Sequence, residues 1–137
     1  MKKMIIRYAT SADKIHIIRS LQNKKIAYNT TAQAKTDIEN GRLLIAIIDD
    51  KIVGSLAIVP EPAHHYTALK RLCVYNKKYR GRGIANELIA TASALVSGPV
   101  GATPWANNPA TIHLFEKNGF SYQYTFLENY KFYLKTS

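Results

Sequence analysis

Apolar residues recur along the 137-residue chain with two periods, one near two and one between three and four, and their succession marks out the elements. Met4 to Tyr8 predicts a short strand. Thr10 or Ser11 can cap a following helix, in which Ile15, Ile18 and Leu21 recur at helical spacing. Thr30 or Thr31 can cap a second helix that ends at Gly41. Leu43 to Ile48 and Ile52 to Val59 are rich in Ile, Leu and Val around Asp49-Asp50-Lys51, which predicts a tight hairpin, with Gly54 marking a bulge. Ala68 to Val74 reads as another strand, and Leu72 and Val74 share a face. From Arg82 to Ser97 the residues Ile84, Leu88, Ala92 and Leu95 form the clearest helical stripe of the chain, stopped by Gly98-Pro99. Val100 to Trp105 predicts a strand. Asn108 is then a good N-cap, Pro109 suits the first helical position, and Gly119 closes the helix. Two aromatic-rich strands, about Phe120 to Leu127 and Tyr130 to Leu134, complete the order βααβββαβαββ.

Composition narrows the class of protein. Apolar residues make up 47% and charged residues 20%, and the mean hydropathy is −0.17, values of a water-soluble globular fold. No repeat or linker-like tract divides the chain, so one domain over residues 1–137 is expected. Cys73 is the single cysteine, which excludes an internal disulfide and a cysteine-built metal site and makes a cytoplasmic location the simplest one. The apolar run after Lys2-Lys3 is three residues long, far short of an export signal, and no membrane association is expected. Nineteen Lys and Arg against nine Asp and Glu give a net charge of +10, which favours a polyanionic partner. Lys70, Arg71, Lys77, Lys78, Arg80 and Arg82 fall within thirteen residues that contain no acid, so the anion is expected there.

That basic run lies where a strand passes through a glycine turn into a helix, Leu72-Cys73-Val74-Tyr75-Asn76-Lys77-Lys78-Tyr79-Arg80-Gly81-Arg82-Gly83-Ile84-Ala85. Such a junction aims unpaired backbone N–H groups and the positive end of the helix dipole at one spot, which suits a phosphate. It lacks the third glycine of the dinucleotide fingerprint and the Gly-Lys-Ser/Thr of a Walker loop. An ordinary strand-to-helix turn with a solvated basic face explains the same residues on their own.

Arg80-x-x-Gly83-x-Ala85 resembles the Arg/Gln-x-x-Gly-x-Gly/Ala signature of the GNAT family of N-acetyltransferases, and Leu72-x-Val74 looks like the end of its fourth strand. The segment from Asn108 to Phe120 is similar to the family's Asn-x-x-Ala-x-x-Leu-Tyr-Glu-Lys-x-Gly-Phe. The two motifs occur in the family's order and cover roughly residues 69 to 120. The resemblance implies an α/β (α+β) fold, a mixed and mostly antiparallel central sheet with helices on both faces, split where the strand ending at Val74 parts from the strand beginning at Val100. It implies acetyl-CoA in that split as co-substrate, with no metal. Backbone N–H groups of Arg80, Gly81, Arg82, Gly83, Ile84 and Ala85 would hold the pyrophosphate. The strand edge about Leu72, Cys73 and Val74 would pair with the pantetheine, Asn108 would hydrogen-bond it, and Phe115 would pack near the thioester.

The implied activity is direct attack of a primary amine, of a small molecule or a protein, on the thioester in a ternary complex, which asks the protein to align two substrates and stabilise the oxyanion. A backbone N–H near Cys73 or Val74 is the implied donor. The chain departs from the pattern at two positions, because Phe115 stands where relatives carry an acidic tyrosine and Ala68 where some carry a basic glutamate. Glu61, His64, His65 and Tyr66 are the local candidates for a base, Glu61 and His65 foremost, while Cys73 is read as a structural residue. Trp105 and the tyrosines 122, 124, 130 and 133 could line an acceptor pocket or belong to the core. A CoA-binding regulatory module without turnover is the alternative. A basic nucleic-acid-binding domain is the other, but no recognition signature supports it and no nucleic-acid partner is expected. An exposed C-terminal strand leaves a homodimer open.

Overall fold

The computed structural model of the chain describes residues 3–23, 30–79 and 81–136. The elements in chain order are β1 (Met4–Tyr8), α1 (Lys14–Asn23) entered through a 3-10 turn at Ser11–Asp13, α2 (Thr30–Glu39), β2 (Leu43–Ile48), β3 (Lys51–Glu61), β4 (Tyr66–Val74), α3 (Ile84–Leu95), β5 (Val100–Ala102), α4 (Pro109–Lys117), β6 (Ser121–Phe126) and β7 (Tyr130–Lys135). Among the described residues seven strands form one sheet in the order β1-β2-β3-β4-β5-β7-β6. Every neighbouring pair is antiparallel except β4 and β5. This is the mixed, mostly antiparallel sheet that the resemblance implied.

Both faces of the sheet are covered. On one, α3 and α4 enclose Leu44, Leu56, Leu69, Ile84, Leu88, Ile89 and Phe115 in a single apolar cluster. On the other, α1 and α2 bury Ile17, Leu21, Ala34 and Ile38 against Ile45, Ala57 and Tyr75. The strands between the layers are apolar on both sides, which is why Leu43 to Ile48 reads as a nearly unbroken hydrophobic run.

Turn chemistry fixes the connections. Asp49 and Asp50 both take positive φ between the paired Ile48 and Lys51, so the β2–β3 hairpin closes through a two-residue turn of the primed type. At the end of α2, Gly41 stands at φ 65; its N–H donates to the Ile38 carbonyl at 3.0 Å and the Arg42 N–H to the Asp37 carbonyl at 2.9 Å. That bond pair is a Schellman cap, and it turns Arg42 back over the last turn of the helix.

Several sequence expectations move. The buried face of α1 is Ile17 and Leu21, with Asp13 below them, whereas Ile15 is 58% exposed. The stripe of α3 is Ile84, Leu88 and Ala92, joined by Ile89; Leu95 lies at the surface, and the helix spans two residues fewer at each end than the pattern predicts. β5 stops at Ala102. Trp105 makes only an isolated bridge to Tyr130, because the chain by then follows β7 alone. Of the two expected caps of α2, Thr30 has its side chain outside the described residues and Thr31 lies within the helix.

The entry to α1 gives a pH prediction. The Asp13 carboxylate accepts two bonds from the Arg7 guanidinium at 2.8 and 3.0 Å and further bonds from the Thr10 N–H and hydroxyl at 2.8 and 3.1 Å. The Arg7 hydrogen bonds, more than any other contact, hold its pKa well below the usual carboxylate range. A group whose pKa is lower folded than unfolded stabilises the fold above its unfolded pKa and loses that contribution as acid protonates it. Asp13→Asn is therefore expected to cost about 1–2 kcal/mol at pH 7, discounted for the half-exposed Arg7, and progressively less below about pH 4. Urea unfolding of both proteins at a series of pH values measures the convergence; a gap that stays constant down to pH 2 rejects it.

Candidate active site

The sheet opens between its two parallel strands. β4 and β5 pair at Thr67–Val100, Ala68–Gly101 and Leu69–Ala102, and the register goes no further. Past that point the continuation of β5 turns to β7, where the Lys131 N–H donates to the Pro104 carbonyl at 3.1 Å and the Ala106 N–H to the Asn129 carbonyl at 2.7 Å. β4 instead runs on through Lys70–Val74 paired to β3. A wedge therefore lies between β4 and the segment after Ala102.

The backbone of β4 addresses that wedge at a definable residue. The Tyr75 N–H donates to the Val53 carbonyl at 2.9 Å while Val74 stands opposite Gly54, so Val74 is a non-hydrogen-bonded pair position on the β3 side. Its N–H and C=O point the other way, into the wedge. Cys73, one residue earlier, faces β3 with its backbone groups, and its half-buried side chain packs with the α1–α2 cluster. Of Cys73 and Val74, the residues at which an oxyanion donor is expected, only Val74 turns its backbone N–H away from β3 towards the wedge.

At the end of β4 the chain enters the glycine turn. Gly81 and Gly83 stand at φ 78 and 80, and a Cβ on either would meet nothing within 4 Å, so the turn needs these glycines for their left-handed backbone and opens outward. Gly83 is the N-cap of α3 without a side-chain cap bond, leaving the positive end of the helix uncovered. Tyr79 forms a shelf beside it, with the Lys78 ammonium 5.1 Å and the Arg82 guanidinium 5.8 Å from its ring centre. Sequence reasoning named the cations and missed the ring between them, although Lys78-Tyr79-x-x-Arg82 carries the signal. Arg80 lies outside the described residues, as does the side chain of Lys77.

Ile84 is buried under the helix start and Ala85 half-buried beside it. Leu72 and Val74 pack towards α3. Across the wedge, Asn108 caps α4 by accepting from the Thr111 N–H at 3.3 Å. Phe115 is 3% exposed, its ring 5.1 Å from that of Phe120 in an edge contact. A further tie, invisible in either motif, joins the helices: the Asn118 amide donates to the Asn86 side chain at 2.9 Å and to the Leu114 carbonyl at 2.8 Å.

The residues expected as base sit elsewhere. Glu61 is in an ion pair with Lys70 at 2.8 Å, and that hydrogen bond holds its pKa below the usual value, making it a weaker base. His65 is exposed on the β3–β4 turn at φ 60. Six residues of strand, roughly 20 Å, separate it from Leu72. His64, Tyr66, Tyr124 and Phe132 line a cavity with it on the sheet face that α1 and α2 leave bare beyond β4. Tyr133 instead belongs to the core, and Trp105, Tyr122 and Tyr124 are exposed.

The family model for an acetyltransferase (GNAT) domain matches residues 39–122. No curated protein sequence matches the chain. Among solved structures, a GNAT-family acetyltransferase from Bacillus cereus superposes with a TM-score of 0.82 at 20% identity over 98% of each chain. The PaiA N-acetyltransferase of Thermoplasma acidophilum, in complex with coenzyme A, gives 0.77 at 15% identity over 98% of this chain and 99% of that one. Diaminobutyrate acetyltransferase EctA of Paenibacillus lautus, in complex with L-2,4-diaminobutyric acid and coenzyme A, gives 0.76 at 13% identity over 99% and 96%. At such identities the likeness is one of fold. The family match spans more than half of the chain, which therefore belongs to the GNAT acetyltransferases and is an acyl-CoA-dependent N-acetyltransferase by class. No helix among the described residues is long and apolar enough to cross a membrane.

Proposed function

We propose that this single domain transfers an acetyl group from acetyl-CoA to a primary amine by direct attack, in the wedge between β4 and β5. The observation that carries the reading is the conjunction of that wedge with an uncapped α3 N-terminus and two left-handed glycines at its mouth. The residues fit the group they would hold. Backbone N–H groups from Gly81 to Ala85 meet the pyrophosphate, with Lys78 and Arg82 supplying charge from the Tyr79 shelf. The edge of β4 about Leu72, Cys73 and Val74 offers backbone pairing to the extended pantetheine arm, and the Asn108 amide, its oxygen engaged at the α4 cap, has its NH2 left to donate to the arm.

The chemistry asked of the protein is alignment and charge stabilisation. The amine nitrogen forms the new bond to the carbonyl carbon, the carbon–sulfur bond breaks, and the thiolate takes up a proton from water. The Val74 N–H, aimed into the wedge, lies ready for the negative charge that gathers on the carbonyl oxygen. Phe115 has no proton to give, and its buried ring serves as the apolar wall beside the thioester. The amine's own proton passes to solvent in this reading, since Glu61 is paired with Lys70 and His65 lies roughly 20 Å along β4 from Leu72.

Titration of CoA into the protein in a calorimeter, followed by acetyl-CoA with an amine panel and thiol detection, tests the reading. Binding with thiol release under at least one amine is the expected result; binding with no release under any amine points to a regulatory module. The combined variant Glu61→Gln/His65→Ala is expected to change kcat less than about threefold with the pH profile kept. A loss of about a hundredfold, the size of a general-base contribution, would return one of them to the reacting centre.

A further inference from the structure

Among the described residues, Arg71 is the one interior strand residue with positive φ outside glycine: it stands at 56°, in the middle of β4, while Asp49, Asp50, His65, Leu127 and Glu128 belong to turns. An arginine gains nothing from the left-handed region, so the surroundings must hold it there. Its effect on β4 is large. Lys70 pairs with Ala57 and Cys73 with Ser55, so Leu56 alone faces both Arg71 and Leu72 across a β-bulge. The extra residue shifts the alternation by one. Lys70 and Arg71 therefore both face α2, Leu72 and Val74 pack under α3, and Cys73 and Tyr75 turn to the α1–α2 side. Without it Cys73 would stand opposite Gly54, and its backbone, not that of Val74, would address the wedge.

The restraint comes from α2. Asp37 is 1% exposed, and its carboxylate accepts from Arg71 Nε at 3.0 Å and from Arg71 Nη2 at 2.9 and 2.8 Å. Arg42, brought round by the Schellman cap, donates from Nε to the same carboxylate at 2.8 Å. A buried acid engaged by two guanidiniums is a rigid anchor, and the bidentate fork of Arg71 fixes both the direction and the twist of that side chain.

We propose that Asp37 is a positioning residue for acetyl transfer: by gripping Arg71 it locks the bulge of β4 and so decides that Val74 is the residue whose backbone faces the thioester. The inference rests on the wedge being the acyl-CoA site, and it makes backbone conformation at position 71, not charge, the quantity that matters.

Three full-length variants separate these. Arg71→Gly abolishes the ion pair but favours the left-handed region, Arg71→Val abolishes the pair and rejects that region, and Asp37→Asn removes the acceptor charge. Each is measured for kcat per folded molecule with the best amine of the panel, for the Kd of CoA, and for the 13Cα and 13Cβ shifts of residue 71. Arg71→Val and Asp37→Asn are expected to lose tenfold or more in kcat and to show extended-strand shifts at residue 71. Arg71→Gly is expected to lose at least five times less than Arg71→Val, and CoA affinity, set at the glycine turn, to stay within about twofold in all three. Equal losses for Arg71→Gly and Arg71→Val, or wild-type kcat in Asp37→Asn, would overturn the proposal, since a merely structural pair would lower the melting temperature without that ordering. Should wild-type protein give no heat with CoA, the site reading fails and the transfer role with it; the shifts then still decide whether Asp37 holds the bulge.

Discussion

Replacing Gly83 by valine is expected to weaken CoA binding at least a hundredfold while leaving the fold intact. The residue stands at φ 80, where an L-amino acid costs about 1–2 kcal/mol and a β-branched one more. Space is not the obstacle, because a Cβ at this position meets nothing within 4 Å. The valine relieves its strain by rotating to negative φ, and that rotation swings the N–H groups at the head of α3 away from the common point at which they converge. Two charge-assisted hydrogen bonds to phosphate, each worth about 1.5–3 kcal/mol, are then lost or misaligned. A loss of about 3–5 kcal/mol corresponds to roughly two to three and a half orders of magnitude in Kd. Gly83→Asn is the discriminating control, since asparagine tolerates the left-handed region and should keep most of the affinity. Calorimetry on both variants decides it: valine within threefold of wild type would remove the glycine turn from the phosphate site.

That turn was legible in the sequence because its requirement is local. Positive φ at two positions leaves glycine as the residue of choice, and a cation run beside it survives any detail of packing. The Asn108 cap and Pro109 were legible for the same reason, each serving the backbone within three residues of itself. What stayed hidden depends on partners far along the chain. Nothing in the sequence around Arg71 marks a bulge, since glycine or asparagine would be the usual sign, and the carboxylate that enforces it lies 34 residues away on α2. The pattern does not fix the face of α1, because Ile15, Ile17 and Ile18 are all apolar and only the sheet beneath decides that Ile17 is buried. β5 is shorter than its composition suggests, because Thr103 to Trp105 has acceptable strand residues but its partner β4 has already parted from it. The same parting opens the wedge in which we place the acyl-CoA site.

Gly54 shows how a residue legible for one reason can matter for another, and substituting it should produce a large stability loss. The pairing of β2 with β3 does shift between Ala46 and Ile47, so a bulge adjoins Gly54 as its sequence context suggests. The stricter demand comes from above. A Cβ on Gly54 would lie 2.9 Å from the Cys73 carbonyl oxygen, 3.1 Å from Ile84 Cγ2 and 3.4 Å from Leu88 Cδ1. The first of these is backbone and cannot yield without disturbing the pairing of Cys73 with Ser55; the other two belong to side chains 1% and 0% exposed in the core. Overpacking of this kind costs about 1–3 kcal/mol for one group, and valine adds two methyls, so Gly54→Val should lose about 3 kcal/mol or more and melt roughly 10 °C lower. The site feels it through Ile84, the first residue of α3: a helix lifted from the sheet carries the glycine turn with it. Saturating CoA, which at a hundredfold excess over Kd stabilises a binding-competent protein by about 2.7 kcal/mol, should therefore raise the melting temperature of the variant much less than that of the wild type. Thermal unfolding with and without CoA measures both effects together. A variant that melts lower but gains as much from CoA would mean that the glycine turn holds its place independently of the helix packing beneath it.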